Sequence, residues 1–596
     1  VSAVAIVARG AVSALGVGSA ATAVGAPGEA ALSVTREDPE LVAAGLRKPR
    51  AARVLLEAPR HADRARCVLE LAARELSARL DACVPAWTDL RLALVIGTSA
   101  GGLGSLERAL ALRAENAPLP SELARAALYD GPLAALERWF GSEAPRIQLL
   151  GACVASTFAL GLGARWLEAG HADLVIAGGY DALCSFLVSG FEALGATTRG
   201  EPAPFRSARD GMVLGEGAAL VALMRAADAP LVEGYVRGFG ATSDALHVTA
   251  PDPEGKGLAN AALRALGDAG LRPADIELVS AHATATPHND AAEAAALTRI
   301  FGAELAALPV HPFKAVIGHT LGAAGALEAL AAVDAMRAGV VPASVGSGTV
   351  EPGFSARLLA TNGVGRAARC LKLSAAFGGA NVALVLDCEA PAAAPRSPRA
   401  VTLLHTGPRV REPDLELLAA RTRLDELRRS RLDRASALAV TAVAAALDAL
   451  PPLDPATTAV IVGTTAASLE ADEAFDVRRR ERGAGFVEPR RFPATSPNLP
   501  AGWCAIAFGW QGPSVAVGGG PGASEQALLV AHDLVAAGDA ERAVVVTCDD
   551  VGPVTRDLCA AAGLEPPVDG AQVLVLGAAG APRLARPELR SRRIDR

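Results

Sequence analysis

Residues 147–171, IQLLGACVASTFALGLGARWLEAGH, and residues 515–539, VAVGGGPGASEQALLVAHDLVAAGD, share one shape: a strand, a glycine-rich turn and a helix. Laid together without a gap, with Gly170 on Gly538, they put Cys153 on Pro521. The repetition runs further in both directions. LALVIGTSAGGLGSLE (92–107) returns as TAVIVGTTAASLEAD (458–472), and RDGMVLGEGAALVALM (209–224) has a weaker echo in VDGAQVLVLGAAGAP (568–582). The material from His282 to Asn381 has no later counterpart. A long-period repeat of this kind organises a whole fold. It predicts a complete first domain over 1–389, a Pro/Ala-rich linker over 390–400, a partial copy of its first half over 401–582 and a basic tail over 583–596.

Within each unit, β-branched runs alternate with alanine- and leucine-rich helical stretches. LALVIGTS (92–99), DLVIAGG (173–179), ELVSAHA (277–283), NVALVLD (381–387) and AVTLLH (400–405) read as strands. The alternation predicts an α/β fold with a sheet covered on both faces. Hydrophobic residues at 51% and charged residues at 20% suit packed globular domains, and 596 residues need at least two of them. A net charge of −7 argues against nucleic acid as the main partner. No apolar run reaches membrane-spanning length, and the strand-like N-terminus lacks a signal peptide's charged start, so the expected location is cytoplasmic. Nine cysteines without a CxxC predict neither a zinc site nor a disulfide framework.

Cys153 sits where a strand turns into a helix. There the unpaired N–H groups and the helix dipole favour thiolate, the nucleophilic form. The other eight cysteines read as packing residues. Two histidine loops strengthen the case for Cys153. His282 lies in SAHATATPHND after a strand, and His319 in KAVIGHTLGAAGALEAL before a helix. A thiol with two imidazoles at strand ends is an arrangement for nucleophilic acyl chemistry, with imidazole N–H donors holding a thioester oxygen as it becomes an enolate. His61, His171, His247, His288, His311, His405 and His532 lack such settings and read as surface or incidental. SAAFGGAN (374–381) sets Phe377 before two glycines that allow close backbone approach. The arginine-rich run RRRERGAGFVEPRR (478–491) reads first as a solvated face and second as a surface that steers an acidic partner. The tail RLARPELRSRRIDR is expected to be disordered.

LLGACVAS, PFRSARDGMVLGEGAA (204–219), SAHATATPHND, KAVIGHTLGAAG and AAFGGAN follow one another in the order and spacing of the β-ketoacyl synthases, and 1–389 resembles that family throughout. The resemblance implies a thiolase-like α-β-α-β-α layered fold, followed here by half of one. It also implies that Cys153 takes an acyl chain from acyl carrier protein. His282 and His319 would bind the thioester carbonyl of malonyl carrier protein as it loses carbon dioxide, Lys314 would orient the histidines, and Glu328 would support them. Backbone N–H groups of Cys153 and of the Phe377–Gly378 loop would form the oxyanion hole, with Phe377 also gating the pocket. Thr284 and Thr286 would hydrogen-bond the phosphopantetheine arm. No metal or other cofactor is implied. Three departures stand out: the family's HGTGT reads His282-Ala283-Thr284-Ala285-Thr286, a usual phenylalanine is Ala375, and ALYDGPLAALERWFG (127–141) matches poorly.

The second unit also resembles a ketosynthase, notably in SPNLPAGWCAIAFGWQGPSVAV (496–517), but Pro521 stands where a thiol would be and no histidine loop follows. It looks like a shortened chain-length factor, the inactive partner that closes the acyl tunnel in polyketide and aryl-polyene ketosynthase pairs. Such a half is expected to dock on 1–389 as a pseudo-dimer, within one chain or across two. The implied partners are acyl carrier protein with its acyl and malonyl thioesters. Three alternatives stay open: a ketosynthase of general fatty acid synthesis with a vestigial duplicate, a coenzyme A-dependent acyltransferase such as a thiolase, and a non-catalytic carrier-binding scaffold.

Overall fold

The computed structural model describes residues 3–56, 63–141, 144–346, 348–391, 398–450 and 453–578. The basic tail and most of the linker lie outside the described residues. Besides a two-residue strand, Gly16–Val17, that pairs off the main path with β1, the first unit contributes ten strands to the principal sheet: β1 (Val4–Ser13), β2 (Leu92–Gly97), β3 (Arg146–Leu150), β4 (Leu174–Asp181), β5 (Gly217–Arg225), β6 (Gly234–Ser243), β7 (Leu278–Ser280), β8 (Val310–His311), β9 (Arg369–Ala375) and β10 (Ala380–Asp387). The second contributes five: β11 (Val401–Thr406), β12 (Thr458–Thr464), β13 (Ser514–Gly518), β14 (Arg542–Asp549) and β15 (Gly570–Ala578). β4 and β10 are buried at every position, which is why they read as unbroken apolar runs and not as alternating ones. ELVSAHA is strand only over Leu278–Ser280, because the chain leaves the sheet before His282 and turns through positive φ at Ala283 and Ala285.

Along the sheet the order is β8-β7-β9-β10-β6-β1-β5-β4-β2-β3-β13-β12-β14-β15-β11. Read outward from the β3–β13 junction, the two units run in the same sequence of equivalent strands: β3, β2, β4, β5, β1 on one side and β13, β12, β14, β15, β11 on the other. At the junction the two copies of one strand pair antiparallel, Leu149 opposite Val517 and Leu150 opposite Ala516. The repeat read from the sequence is therefore built as a pseudo-twofold within a single chain. The remaining strands, β6 to β10, have no counterpart among the described residues of the second unit.

Seven helices matter below: α1 (Arg64–Cys83), α2 (Ala155–Glu168), α3 (Pro287–Phe301), α4 (Ala324–Ala338), α5 (Leu469–Arg482), α6 (Leu499–Phe508) and α7 (Ala523–Ala537). Every residue of α2 from Ala155 to Leu167 is buried, and α4 is nearly as deeply enclosed. Helices without a polar face are stable only when covered all round, and these two pack against each other and against several strands of the principal sheet. One apolar core passes through them without a break into the second unit, from Phe158 and Leu162 to Val515, Leu529 and Leu534. No helix among the described residues is long and apolar enough to cross a membrane.

Polar contacts fix the register across the seam. Trp166 on α2 donates its indole N–H to Asp533 on α7 at 2.7 Å, and Arg165 pairs with Asp539 at 2.7 Å and with Asp268 at 3.0 Å. The poorly matching stretch 127–141 also lies here: Tyr129 reaches Ser468 at 2.8 Å, and the Asp130 N–H donates to the Gly519 carbonyl at 3.1 Å. Its departure from the family pattern thus falls where the first unit meets a partner unlike itself. Most of the arginine-rich run is engaged locally: Arg478 pairs with Glu481, Arg480 with Asp476, and Arg482, Arg490 and Arg491 with Glu488. Arg479 departs from the solvated-face reading, since besides Asp476 it pairs with Glu107 at 2.8 Å and donates to Ser185 at 2.9 Å, both in the first unit. Replacing Trp166 by Phe removes a buried bond to a carboxylate, so it should cost about 1–3 kcal/mol. A lowered urea midpoint would show this, whereas an unchanged midpoint would mean that the bond does not hold the seam.

Candidate active site

β3 ends at Leu150, and the chain turns through Gly151 and Ala152 into a single 3-10 turn that carries Cys153 before α2 begins. Ala152 adopts φ 48°, a left-handed conformation that costs a non-glycine residue energy and is held here by the surrounding packing. The sharp turn lifts the Cys153 sulfur out of the sheet toward the loops that follow β7 and β8.

His319 Nε2 lies 3.0 Å from Cys153 Sγ, while its Nδ1 accepts the Leu321 backbone N–H at 3.2 Å. An imidazole that accepts at Nδ1 carries its proton on Nε2, so His319 donates toward the sulfur. His282 is pinned in the same way. Lys314 Nζ, which can only donate, lies 3.2 Å from His282 Nδ1, leaving Nε2–H as the free donor. The two rings stand edge to face with centroids 5.6 Å apart. Burial pushes both imidazoles well below the ordinary histidine range, and the Lys314 charge pushes the same way, so both are neutral at physiological pH.

Glu328, on α4, bridges two lysines: its carboxylate oxygens lie 2.6 Å from Lys314 Nζ and 2.6 Å from Lys372 Nζ. All three side chains are buried. Lys372 escaped the sequence reading; the one signal was a lysine inside the apolar strand RCLKLSA, where β9 is otherwise covered. Its pKa is lowered by burial, against the pull of Glu328. Burial likewise pushes the Cys153 thiol up to about 12, with Lys314 opposing. The position at a helix start favours thiolate; desolvation acts in the opposite direction.

Two carboxylates on or beside α3, also absent from the sequence reading, shape the His282 loop. Glu293 accepts the N–H of His282 at 2.6 Å and of Ala283 at 2.7 Å, and Asp290 accepts that of Ala285 at 3.1 Å. Burial raises Glu293 to about 7 and Asp290 to about 6. Asp181 does the same for the His319 loop, joining Thr98, Ser99 and Ala100 to Gly322. In the second unit Asp549 holds Thr464, Thr465 and Ala466 in the matching way, with no loop to receive a fourth bond.

Cys153, Phe191 and Phe377 separate two cavities. On one side a cavity of about 320 Å³ is lined by His282, Thr284, Thr286, His288 and His319 and bordered by Ala375. Thr284 and Thr286 hydroxyls lie 2.9 Å apart on its wall. On the other side a recess of about 40 Å³ is lined in part by Phe492, Thr495 and Ser496 of the second unit. The Gly378 N–H donates to the Val248 carbonyl at 2.7 Å. It is therefore not available as an oxyanion donor, and its φ of 82° identifies it as the hinge of the Phe377 turn. His311 is buried against Phe313 and His532 is buried beside Asp533 at 3.0 Å, so neither lies at the surface, whereas His288 is exposed at the edge of the cavity; His61 lies outside the described residues. Pro521 is exposed, on the second unit. Among the described residues, no group of three or more His, Cys, Asp or Glu is placed to hold a metal ion.

The model of the β-ketoacyl synthase N-terminal domain matches residues 59–229 and 416–570, and that of the C-terminal domain matches 233–347. The chain belongs to the β-ketoacyl synthase family. It is 35% identical over 262 residues to the 3-oxoacyl-[acyl-carrier-protein] synthase 2 of Coxiella burnetii, covering 41% of this chain and 62% of that protein. It is 33% identical over 222 residues to the Staphylococcus aureus (strain COL) protein of the same name, covering 36% and 54%. The matched region thus spans little more than half the length of these relatives. Among solved structures, the ishigamide ketosynthase/chain length factor is 26% identical with a TM-score of 0.59, over 65% of this chain and 99% of that one. The ketosynthase ApeO in complex with its chain length factor ApeC from Xenorhabdus doucetiae is 27% identical with a TM-score of 0.55, over 65% and 98%. The PfaC keto synthase–chain length factor follows 97% of this chain and 78% of its own, at a TM-score of 0.73 and 15% identity, a likeness of fold.

The chain differs from its family's glycine pattern at two strained positions, Ala283 with φ 42° and Ala285 with φ 62°. A left-handed alanine costs about 1–2 kcal/mol, partly offset by the ~0.4–1 kcal/mol entropy cost of glycine. Ala283→Gly and Ala285→Gly should therefore each stabilise the protein by about 0.5–1 kcal/mol. Thermal melts of the single variants check this, and a lowered melting temperature would contradict the strain argument.

Proposed function

We propose that this chain catalyses decarboxylative condensation of an acyl group held on Cys153 with a malonyl group delivered on acyl carrier protein. The reading rests on one observation above all: two neutral imidazoles, each pinned at Nδ1, leave two Nε2–H donors beside one sulfur at a helix start. In the loading step the Cys153 sulfur attacks the acyl thioester carbon. The thioester C–S bond breaks, and the cysteine proton leaves with the carrier thiol. Backbone N–H groups of Cys153 and Phe377 would hold the transient oxyanion. Nε2–H of His319 and the start of α2 stabilise the sulfur as it loses its proton.

In the second step the malonyl thioester enters by the cavity that Thr284 and Thr286 line, where their hydroxyls suit the amides of a phosphopantetheine arm. Its carbonyl oxygen accepts from His282 and His319. The C–C bond to the carboxylate breaks, carbon dioxide leaves, and the electron pair is held as an enolate by two neutral donors. The enolate carbon attacks the Cys153 thioester, and the sulfur departs and takes up one proton. Neutral imidazoles suit this task, since they stay donors across physiological pH without competing as charged acids. Lys314, balanced by Glu328 and Lys372, fixes the His282 tautomer. Cys153→Ala should leave the fold intact by circular dichroism and abolish acyl loading, read by intact-protein mass spectrometry after incubation with acyl carrier protein thioester. Undiminished loading in that variant would falsify the assignment.

The second unit takes the role of a chain-length factor in this reading, and a type II polyketide or aryl-polyene pathway is the corresponding setting. Support comes from Phe492, Thr495 and Ser496 walling the recess beside Cys153, and from Phe492 packing on Phe191 with ring centroids 5.0 Å apart. Phe492 also lies directly over Gly190, where an added Cβ would stand 2.0 Å from the ring. If this ring limits the acyl chain, Phe492→Ala should shift the product distribution to longer chains, read by mass spectrometry of the acyl groups released. An unchanged distribution counts against the wall role.

A further inference from the structure

The non-catalytic unit touches more than the acyl recess. Asn498, one residue before α6, donates its side-chain N–H to the Phe377 carbonyl at 2.6 Å. Its side-chain oxygen in turn accepts from the Ser496 hydroxyl at 2.7 Å, which fixes the amide's orientation. One turn further along α6, Gly502 lies so close to the same loop that a Cβ there would stand 2.6 Å from the Gly378 Cα. From the other side, a Cβ on Gly378 would stand 3.0 Å from the Asn498 amide nitrogen. Three residues of the second unit thus form a seat against which the Phe377–Gly378 turn is laid.

The internal repeat supplies its own control. The gapless alignment that lays Cys153 on Pro521 lays Leu128 on Ser496, Asp130 on Asn498 and Ala134 on Gly502, while Pro132 and Pro500 coincide. The first unit's copy of the seat faces a unit with no equivalent of the Phe377 loop. There the hydroxyl has become leucine, the glycine has become alanine, and Asp130 pairs with Arg125 at 3.1 Å. The hydroxyl, the amide donor and the missing side chain occur together on the one side where there is a loop to hold. A general packing role for the second unit does not require this difference, since both copies pack.

We infer that Asn498, oriented by Ser496 and given room by Gly502, is a positioning residue supplied by the non-catalytic unit, and that it sets the turn carrying the Phe377 backbone N–H and the Phe377 ring. The inference rests on the proposed condensation for its consequence, though the contact itself does not. Without the bond, the Phe377 carbonyl loses its partner and the turn, hinged at two glycines of positive φ, is free to rotate. The donor aimed at the thioester oxygen is then misplaced, and misplacement acts on the chemical step more than on binding.

The test compares wild type with Asn498→Ala, Asn498→Asp and Gly502→Ala. Expected results are a fall of about tenfold in kcat for β-ketoacyl formation, with KM for malonyl carrier protein held within about twofold, and faster amide hydrogen exchange confined to residues 375–380. Ser496→Ala should show the same pattern more weakly. Unchanged kcat and unchanged exchange in Asn498→Ala overturn the inference. So does a loss of kcat accompanied by a lower melting temperature and evenly raised exchange, the signature of a merely structural residue. If the wild-type chain forms no β-ketoacyl product, the proposed reaction fails, while exchange at residues 375–380 still decides whether Asn498 holds the turn.

Discussion

Two edge strands, β3 and β13, each carry a row of outward N–H and C=O groups, and in this chain they pair with each other. An unpaired edge is an aggregation hazard that proteins have to manage. The second unit removes it from the first by offering a copy of the same strand in the opposite direction. Much else follows from that pairing. It brings α2 against α7, buries Trp166 and Arg165 among second-unit carboxylates, and makes one apolar core of two. It also sets the 489–500 stretch of the second unit beside the Cys153 recess and the Phe377 turn. The part of the fold that was kept is the part that contains this edge.

The site itself depends on a buried charge arrangement. Removing three ionised side chains from water is costly unless they pair, and Lys314, Glu328 and Lys372 pair closely. What the arrangement achieves is directional. One lysine is held where it can only donate to His282, and that fixes the proton on the far nitrogen. The neighbouring Leu321 N–H does the same for His319. The imidazoles become donors because their other nitrogens are occupied, and burial keeps them uncharged. The second unit retains the strand-end clamp on Asp549 but has none of this apparatus, since every one of these side chains belongs to the segment it lacks.

Much of this was legible beforehand. The repeat, the strand runs, the thiol at a helix start and both histidine loops stand in linear motifs, and the structure brings Cys153, His282, His319 and Lys314 to one place. Two glycines beside a phenylalanine point to an oxyanion donor somewhere in the Phe377–Gly378 turn; only the fold shows that the Gly378 N–H is given to Val248. Lys372, Asp290, Glu293 and Asn498 went unread for a common reason. Each acts on a residue of another segment, and a single lysine, carboxylate or asparagine carries no periodic signal of its partner. Cys153 shows a different limit: a local rule about helix starts gives one influence on the thiol, and burial, which no local stretch reveals, acts against it.

The amino-acid order alone determined that this protein is a whole unit and a half, that the half has proline where the whole has a thiol, and which loops hold the imidazoles. Those facts rest on spacing along the chain, and spacing is written in the sequence. Tertiary structure alone decided which nitrogen of each imidazole carries its proton, how far burial opposes ionisation of the sulfur, and which second-unit residues stand over the Phe377 turn. These depend on hydrogen bonds and desolvation between groups far apart in the chain, such as Asn498 and Phe377, whose meeting is fixed only when the two edge strands pair.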